Sequence, residues 1–374
     1  MSKTINKVER TDEIAKYYGF KKTDVPSFFK LGDIFLDSSQ KKNILEKHKN
    51  NYPKKGHNIS MLYNNQAILT NKKNRGKSST KNFNFDILGV SDSIAEATII
   101  HTAITSLKEE GYKNPFVNIN SLGDKHSLAN FRKSLFDFYK SRIDDLHPKC
   151  RNFNKKNIFN LLSCNHKECQ ELKKDAPRPI YFLSNDSQQH LKKTLEYLES
   201  LNIIYNIDDL LMESDNCFSN IIFEIKHKAP SPKKEIILGR GGRYDELARN
   251  ILRKRNLPAV GVSLEFPSKK SLIIEKSLSN KSDFYFIQFG PSAKQKSLPI
   301  IEMLRRANLK INQDLHIDKF GEQIDKAREM KVRYILILGQ KEADDGTLII
   351  KDLKEASQKT VKLTMALNYI KQLK

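Results

Sequence analysis

A histidine and three cysteines lie within one short stretch of the chain: His147, Cys150, Cys164 and Cys169. Thiolate sulfur and imidazole nitrogen are ligands that suit tetrahedral Zn²⁺. Four protein ligands leave no open coordination position, so a zinc ion held here would be structural. His166 is a rival ligand. Because the spacing is looser than in a paired Cys-x₂-Cys site, reduced cysteines without a metal are the alternative interpretation.

A segment rich in glycine and arginine is the second candidate for chemistry. Residues 239–247 read Gly-Arg-Gly-Gly-Arg-Tyr-Asp-Glu-Leu. The adjacent Gly241 and Gly242 let the backbone approach a ligand closely, and Arg243 beside them can meet an anionic group. A tight hairpin turn explains the same residues without any ligand, so this segment alone does not decide between binding and structure.

The charge balance points to a polyanionic partner. The 374 residues carry 66 Lys and Arg against 44 Asp and Glu, a formal charge of +22. Such an excess favours nucleic acid, because each neutralised phosphate releases counterions. The alternative is a compositional bias toward lysine, asparagine and isoleucine. No run of about 18 apolar residues predicts a membrane span, the first residues do not resemble a secretory signal, and four cysteines do not indicate a disulfide scaffold, so we expect a cytoplasmic protein.

The elements that must position these residues fall into two parts. Residues 1–268 alternate strands with hairpins and few crossover helices, which predicts an α+β antiparallel sheet with an insert at about 125–185. Helices are expected at 7–20, 94–110 and 190–201, and the polar stretch 39–56 is expected to be a loop. A linker follows at 269–282. Residues 283–374 alternate strand and helix, which predicts a small α/β domain with a mainly parallel sheet.

The glycine-arginine segment, followed by Pro258-Ala259-Val260-Gly261, resembles a signature of the histidyl-tRNA synthetase family. Further matches occur in family order. Residues 82–89 are similar to the end of class II motif 2, and residues 93–97 continue it. Residues 119–124 match the segment before the insert, and residues 174–177 match the segment after it. Three matches lie near the C-terminus, at 323–327, 335–339 and 350–353. The resemblance spans about residue 7 to the C-terminus.

This resemblance implies a class II synthetase catalytic fold followed by an anticodon-binding domain. Family members use ATP and Mg²⁺ to activate histidine, attach it to tRNA(His), and are usually homodimers. By this resemblance the substrate-binding candidates are Glu224, Gly241, Gly242, Arg243 and Tyr244.

Three polar residues of the C-terminal part are candidates for tRNA binding. Lys319, Gln323 and Lys326 have i, i+4, i+7 spacing on one predicted helix. A solvated helix face is the alternative for each of them. Phe320, Ile324 and Ala327 form the neighbouring stripe and are expected in the core.

The chain departs from the family pattern at the positions that carry chemistry. The Leu-Arg-Pro-Glu-Gly-Thr segment is missing between Gly56 and Met61. Family arginines are replaced by Thr70 in motif 2, by Glu213 in the segment that forms the histidine pocket, and by Ser268 at the end of motif 3. Losing one donor that stabilises developing charge costs about 10²–10³ in rate. We therefore expect histidine activation to be impaired or lost.

Three functions remain open from the sequence. The first is a non-catalytic paralogue that binds tRNA, and the second is a divergent but working histidine–tRNA ligase. The third is an accessory subunit similar to the synthetase-like regulatory subunit of ATP phosphoribosyltransferase. The anticodon-like domain argues against the third, because those regulators resemble the catalytic domain alone.

Overall fold

The computed structural model describes residues 8–23, 38–51, 59–71, 77–154, 158–212, 218–228, 235–252, 257–267, 273–274 and 282–373. The strands are β1 (Val8–Glu9), β2 (Lys21–Lys22), β3 (Ser60–Asn71), β4 (Lys77–Leu88), β5 (Phe116–Ser121), β6 (Tyr205–Ile207), β7 (Ser219–Lys228), β8 (Glu235–Arg243), β9 (Ala259–Pro267), β10 (Ile273–Ile274), β11 (Phe284–Gln288), β12 (Asn312–Gln313), β13 (Tyr334–Leu338), β14 (Thr347–Asp352) and β15 (Ser357–Lys362). The helices are α1 (Arg10–Tyr17), α2 (Ser38–Asn51), α3 (Ile94–Glu109), α4 (Lys125–Lys140), α5 (Lys167–Asp175), α6 (Asn185–Ser200), α7 (Asp245–Leu252), α8 (Pro291–Arg306), α9 (Phe320–Glu329), α10 (Gln340–Asp345) and α11 (Leu363–Gln372).

The first part of the chain is built on a sheet of eight strands in the order β2-β3-β4-β9-β8-β7-β5-β6. The β2–β3 and β5–β6 pairs are parallel, and the other pairs are antiparallel. This arrangement confirms the predicted α+β class II synthetase-like sheet.

The two faces of this sheet differ in polarity, as the alternation of side chains along each strand requires. Directly opposed residues on one face are apolar and buried: Tyr63, Phe85, Val262, Gly241, Phe223 and Ile119. Helix α3 packs on this face, and fourteen of its sixteen residues are buried. The opposite face, called here the polar face, carries a row of opposed polar residues: Asn64, Asn84, Ser263, Arg240, Glu224 and Asn118.

Helix α2 contradicts the predicted loop at 39–56. Its buried residues Lys41, Ile44 and Leu45 have i, i+3, i+4 spacing, which places them on one helix face. Ile44 and Leu45 pack with Tyr244 and Ala248 in a small apolar core. Two apolar contacts in a lysine- and asparagine-rich stretch are too few to reveal a helix from periodicity. Residues 52–58 lie outside the described part of the chain.

The predicted insert lies between β5 and α6. Helix α4 packs its buried Phe131, Leu135 and Tyr139 on short 3₁₀ turns and on α5, around a core of its own. Most of the predicted linker lies outside the described residues. Within it, Ile273–Ile274 pairs antiparallel with Val8–Glu9.

The C-terminal part holds a sheet of five strands in the order β12-β11-β13-β14-β15. Strands β12, β11 and β13 are parallel, as predicted, whereas β14 and β15 form an antiparallel hairpin on β13. The sheet is therefore mixed. Among the described residues, no helix is both long and apolar enough to cross a membrane.

A buried carboxylate joins the two sheets. Glu302 of α8 accepts hydrogen bonds from the Tyr18 hydroxyl and from Arg305 Nε at 2.7 Å, and lies 3.6 Å from His101 Nε2 on α3. Burial by itself raises the pKa of Glu302, but the nearby His101 and the hydrogen bonds from Arg305 and Tyr18 hold that pKa well below its ordinary value. The anticodon-like part is thus fixed to the large sheet by ionic as well as apolar contacts.

Candidate functional site

The glycine-arginine segment forms the end of β8 and the start of α7. Gly242 lies opposite Gly261 of β9. A side chain at Gly241 would collide with the Phe223 ring, and a side chain at Gly242 would lie 2.8 Å from the Phe218 ring. The two glycines are therefore required for the close packing of the protein's own strands and rings, which is the structural interpretation left open by the sequence.

Arg243 points to the apolar side of the sheet, opposite to Arg240. It is buried, and its Nε and Nη2 atoms donate to the two oxygens of Glu96 on α3 at 2.7 and 2.8 Å. His190 Nε2 of α6 lies 2.6 Å from Glu96 Oε1. Through Glu96, Arg243 of β8 thus connects to helices α3 and α6. A ligand on the polar face does not reach Arg243, because its side chain lies on the opposite side of the sheet.

The ionisation of Glu96 depends on these partners. Burial by itself raises the pKa of a carboxyl group, but the charges of Arg243 and His190 outweigh burial and lower the pKa of Glu96 to about 2. Glu96 is therefore a buried anion at neutral pH. This group was not among the residues singled out from the sequence, although it lies within the matched segment 93–97.

Glu224 lies on the polar face, as a substrate-binding residue would. Its Oε1 accepts a hydrogen bond from Arg240 Nε at 2.7 Å, and its Oε2 lies 3.3 Å from Lys226 Nζ. The Glu224 side chain is only 8% exposed, whereas Arg240 is 42% exposed. The carboxylate is therefore neutralised by side chains of the same chain.

Tyr244, which follows Arg243 in the segment, lies inside a buried cluster of polar groups. Its hydroxyl donates to Asp86 Oδ1 at 2.8 Å, and Lys41 Nζ lies 2.5 Å from the same oxygen. The Lys41 ammonium also lies over the Tyr244 ring, 5.3 Å from its centroid. Lys41 was not predicted as a site residue, because its helix was expected to be a loop.

Two of the three positions predicted to replace family arginines, Glu213 and Ser268, lie outside the described residues. Thr70 lies in β3, and its side chain is not described. On β9, Glu265 lies opposite Asn82 of β4. Burial raises the pKa of Glu265, and its Oε2 has no hydrogen-bond partner among the described residues.

The insert brings three thiols and one imidazole together. One ligand atom from each of Cys150, Cys164, His166 and Cys169 lies within 4.8 Å of the others. Cys164 Sγ is 3.4 Å from Cys150 Sγ and 3.1 Å from His166 Nδ1. Burial opposes ionisation of the Cys164 thiol, but hydrogen bonds from His166 and its neighbours lower its pKa to about 7.

His147, predicted as the fourth ligand, lies outside this group of four donors. Its ring stacks on the His166 ring with 3.8 Å between centroids, and its Nδ1 accepts a hydrogen bond from the Lys149 backbone at 3.3 Å. The structure thus brings the rival His166 to the thiols. Helix α5 begins at Lys167, next to His166, and this directs both His166 and Cys169 toward Cys150.

The three tRNA-binding candidates do not share one exposed face. Lys319 is 81% exposed and pairs with Glu322 at 2.9 Å. Lys326 is 42% exposed and binds Asp314. Gln323 is fully buried, and its amide bonds to the backbone of Gln288 and Ile317.

The prediction for Gln323 is therefore wrong, because this side chain satisfies backbone groups at the carboxyl end of β11 and cannot face RNA. The expected core residue Ala327 is buried, whereas Phe320 is 39% exposed.

Comparison with known proteins gives a consistent result for both parts of the chain. Residues 283–373 match the family described as an anticodon binding domain. The chain is 28% identical to a histidine–tRNA ligase of Acholeplasma laidlawii over 296 residues, which covers 78% of this chain and 70% of that protein. It is 27% identical to that of Bacillus subtilis over 297 residues, with coverage of 77% and 69%.

A solved structure shares the fold. It is the apo histidyl-tRNA synthetase of S. aureus, which has a TM-score of 0.51 and 19% identity, and the match covers 96% of this chain and 93% of that one.

We expect Glu96→Gln to lower the free energy of unfolding by about 3 kcal/mol at pH 7, because Arg243 loses its buried counter-charge. The pKa of Glu96 is lower in the folded state than in the unfolded chain, so its stabilisation is present above about pH 4.5 and is lost as pH falls toward 2. The difference in the free energy of unfolding between the unaltered protein and Glu96→Gln, measured by urea unfolding, should therefore become smaller between pH 5 and pH 3. The control Glu246→Gln removes a half-exposed pair with Arg249 and should cost under about 1 kcal/mol. A deficit that does not change with pH would contradict the assignment.

Proposed function

This chain belongs to the histidyl-tRNA synthetase family, and on that premise we propose that it binds tRNA through residues 283–373 while its activation of histidine is impaired. The observation that carries the proposal is the pairing of charges around the polar face. Lys41 binds Asp86, Arg240 and Lys226 bind Glu224, and the signature arginine Arg243 binds Glu96 on the other side of the sheet.

This pairing bears on catalysis because adenylate formation develops negative charge on the phosphates of ATP. Preorganised cations that meet this charge are usually the largest source of rate enhancement. The cations named above already have carboxylate partners, and the family arginines are replaced by Thr70, Glu213 and Ser268. The described side chains of the polar face thus do not fit ATP and Mg²⁺.

A working ligase is the second candidate, and one observation favours it. The polar face retains a full row of hydrogen-bonding side chains, and Glu265 and Asn82 each keep a buried polar atom without a partner among the described residues. Such groups are places where a bound ligand restores hydrogen bonds. Measurement of the activation step separates the two candidates.

We expect no histidine-dependent ATP–pyrophosphate exchange by the purified chain. The rate should fall at least about 10²-fold below that of an active relative, such as the Bacillus subtilis enzyme, measured in the same assay. Exchange without histidine provides the background. Histidine-dependent exchange within about tenfold of the relative would overturn the proposal and favour the working ligase.

We propose that tRNA binds at the carboxyl ends of the parallel strands of the C-terminal sheet. Phe289 follows β11 and is 53% exposed, and its ring meets that of Phe320 edge to face at 6.1 Å between centroids. Lys319 precedes Phe320 and is largely exposed. Exposed aromatic rings stack on unpaired bases and nearby lysines meet phosphates, which are the contacts that an RNA loop requires.

We expect Lys319→Ala to weaken tRNA binding and to reduce the salt dependence of the affinity by about one phosphate, because one counterion fewer is released. Filter-binding titrations at several salt concentrations measure both quantities. The matched control is Lys354→Ala, because Lys354 is also exposed but lies near the opposite edge of this sheet. Equal effects of the two substitutions would contradict this placement and indicate diffuse electrostatic binding.

We further propose a structural zinc site made of Cys150, Cys164, His166 and Cys169. The donor set and its mutual distances suit tetrahedral zinc. When bound, zinc would cross-link the short 3₁₀ turn that carries Cys150 to helix α5, and with four protein ligands it would not take part in catalysis. The stacked ring of His147 would orient His166 from outside the metal site.

We expect about one zinc ion per chain in protein purified without chelator, measured by elemental mass spectrometry. His166→Ala and Cys164→Ser should each lose most of the metal, because each removes one of four ligands. His147→Ala is the matched control and should retain it, since only a stacking contact is lost. Loss of zinc from His147→Ala with retention by His166→Ala would show that the ligand predicted from the sequence is the correct one.

A further inference from the structure

A lysine side chain is buried in the large domain beside the glycine-arginine segment. The Lys41 side chain is 1% exposed and its partner Asp86 is 2% exposed. Lysine is almost never fully buried without a partner, because removing an ammonium group from water is costly. The neighbouring Lys42 and Lys47 of the same helix are exposed. Lys41 is therefore held in a specific site.

The groups around the Lys41 ammonium form a site that recognises an organic cation. Asp86 supplies a carboxylate oxygen at 2.5 Å, and Tyr244 supplies the face of its ring. The Tyr244 hydroxyl donates to the same carboxylate and so fixes its orientation. A carboxylate combined with an aromatic face favours ammonium or imidazolium groups, whereas Mg²⁺ or Ca²⁺ requires more oxygen ligands than this site offers.

Gly261 of the Pro-Ala-Val-Gly segment creates the space for this site. A side chain at Gly261 would collide with both the Asp86 carboxylate and the Lys41 ammonium. The absence of a side chain at Gly261 thus leaves a recess on the polar face, and the Lys41 ammonium occupies it. Asp86 lies two residues from Asn84 along β4, so the recess continues the polar face.

We propose that Lys41 fills a binding site for a small organic cation, either a primary ammonium or an imidazolium, and thereby blocks that site. This inference rests on the proposed function only in that Tyr244 belongs to the segment assigned to substrate binding. The site is formed by Asp86, Tyr244 and the recess at Gly261, and the α2 helix supplies the occupant. Removal of the side chain beyond Cβ should therefore leave a cavity that takes up an external cation.

The test compares Lys41→Ala with Lys41→Met. Both substitutions remove the charge and leave Asp86 without its cation, but only alanine opens a cavity, because methionine fills most of the lysine volume. Thermal unfolding is measured in sodium chloride and in equal concentrations of n-propylammonium chloride or imidazolium chloride. We expect these cations to raise the melting temperature of Lys41→Ala by about 3 °C or more. Lys41→Met and the unaltered protein should respond no more than to sodium.

A response of Lys41→Ala to n-propanol as large as that to n-propylammonium would overturn the proposal, because the cavity would then select apolar volume and not charge. No selective response in a folded Lys41→Ala protein would overturn it as well.

Amine labelling of the unaltered protein keeps the proposal testable if both variants fail to fold. Peptide mass spectrometry after brief labelling should show Lys41 protected at least tenfold relative to Lys42. Equal labelling of the two lysines would exclude a buried internal cation. Neither result depends on pyrophosphate exchange, so failure of this inference is distinguishable from failure of the proposed function.

Discussion

The ion pair between Glu96 and Arg243 is the interaction on which the arrangement of the large domain depends. A buried charge is tolerated only with a partner in good geometry, and removing one partner costs more than the pair itself contributes. Here the partners come from α3 and β8, and His190 adds α6. The pair therefore fixes how the helices cross the apolar face. It also fixes the direction in which the chain leaves β8, which turns Tyr244 toward Asp86.

Because the Glu96–Arg243 ion pair lies on the apolar side of the sheet, the two faces differ in what they contribute to the fold. The apolar face holds the fold together through α3 and the strands beneath it. The polar face contributes little to that core, so its side chains are the part of the domain that can change without loss of the fold. A structural likeness at 19% identity is consistent with this division.

The sequence predicted the elements whose periodicity is strong. Helix α3 was identified because its apolar residues recur at the spacing of a helix. Helix α2 was missed because its buried face contains only two apolar residues and a lysine. No pattern in a single sequence indicates that a lysine is buried, because burial depends on Asp86, which lies 45 residues away.

The site residues were predicted less well, for a related reason. Spacing along a helix places Lys319, Gln323 and Lys326 close together, but it does not distinguish a glutamine that faces solvent from one that satisfies backbone groups. Similarly, the sequence identified the three cysteine donors but offered two histidines for the fourth position. The choice between His147 and His166 depended on where α5 begins. The family resemblance identified Arg243 as important, but only the register of β8 shows to which face it points.

The pairing of Lys41 with Asp86 connects stability to binding. A carboxylate that is buried with no cation nearby is destabilising, so an empty site at Asp86 weakens the folded chain until a cationic ligand arrives. An internal lysine removes that penalty permanently, and the folded state no longer depends on ligand. The same ammonium then competes intramolecularly with any external cation, at an effective concentration that the fold sets and the solution does not. At Asp86, a change that stabilises the folded chain without ligand thus weakens the affinity for a ligand. In this chain the Asp86 carboxylate is paired with the side chain of Lys41.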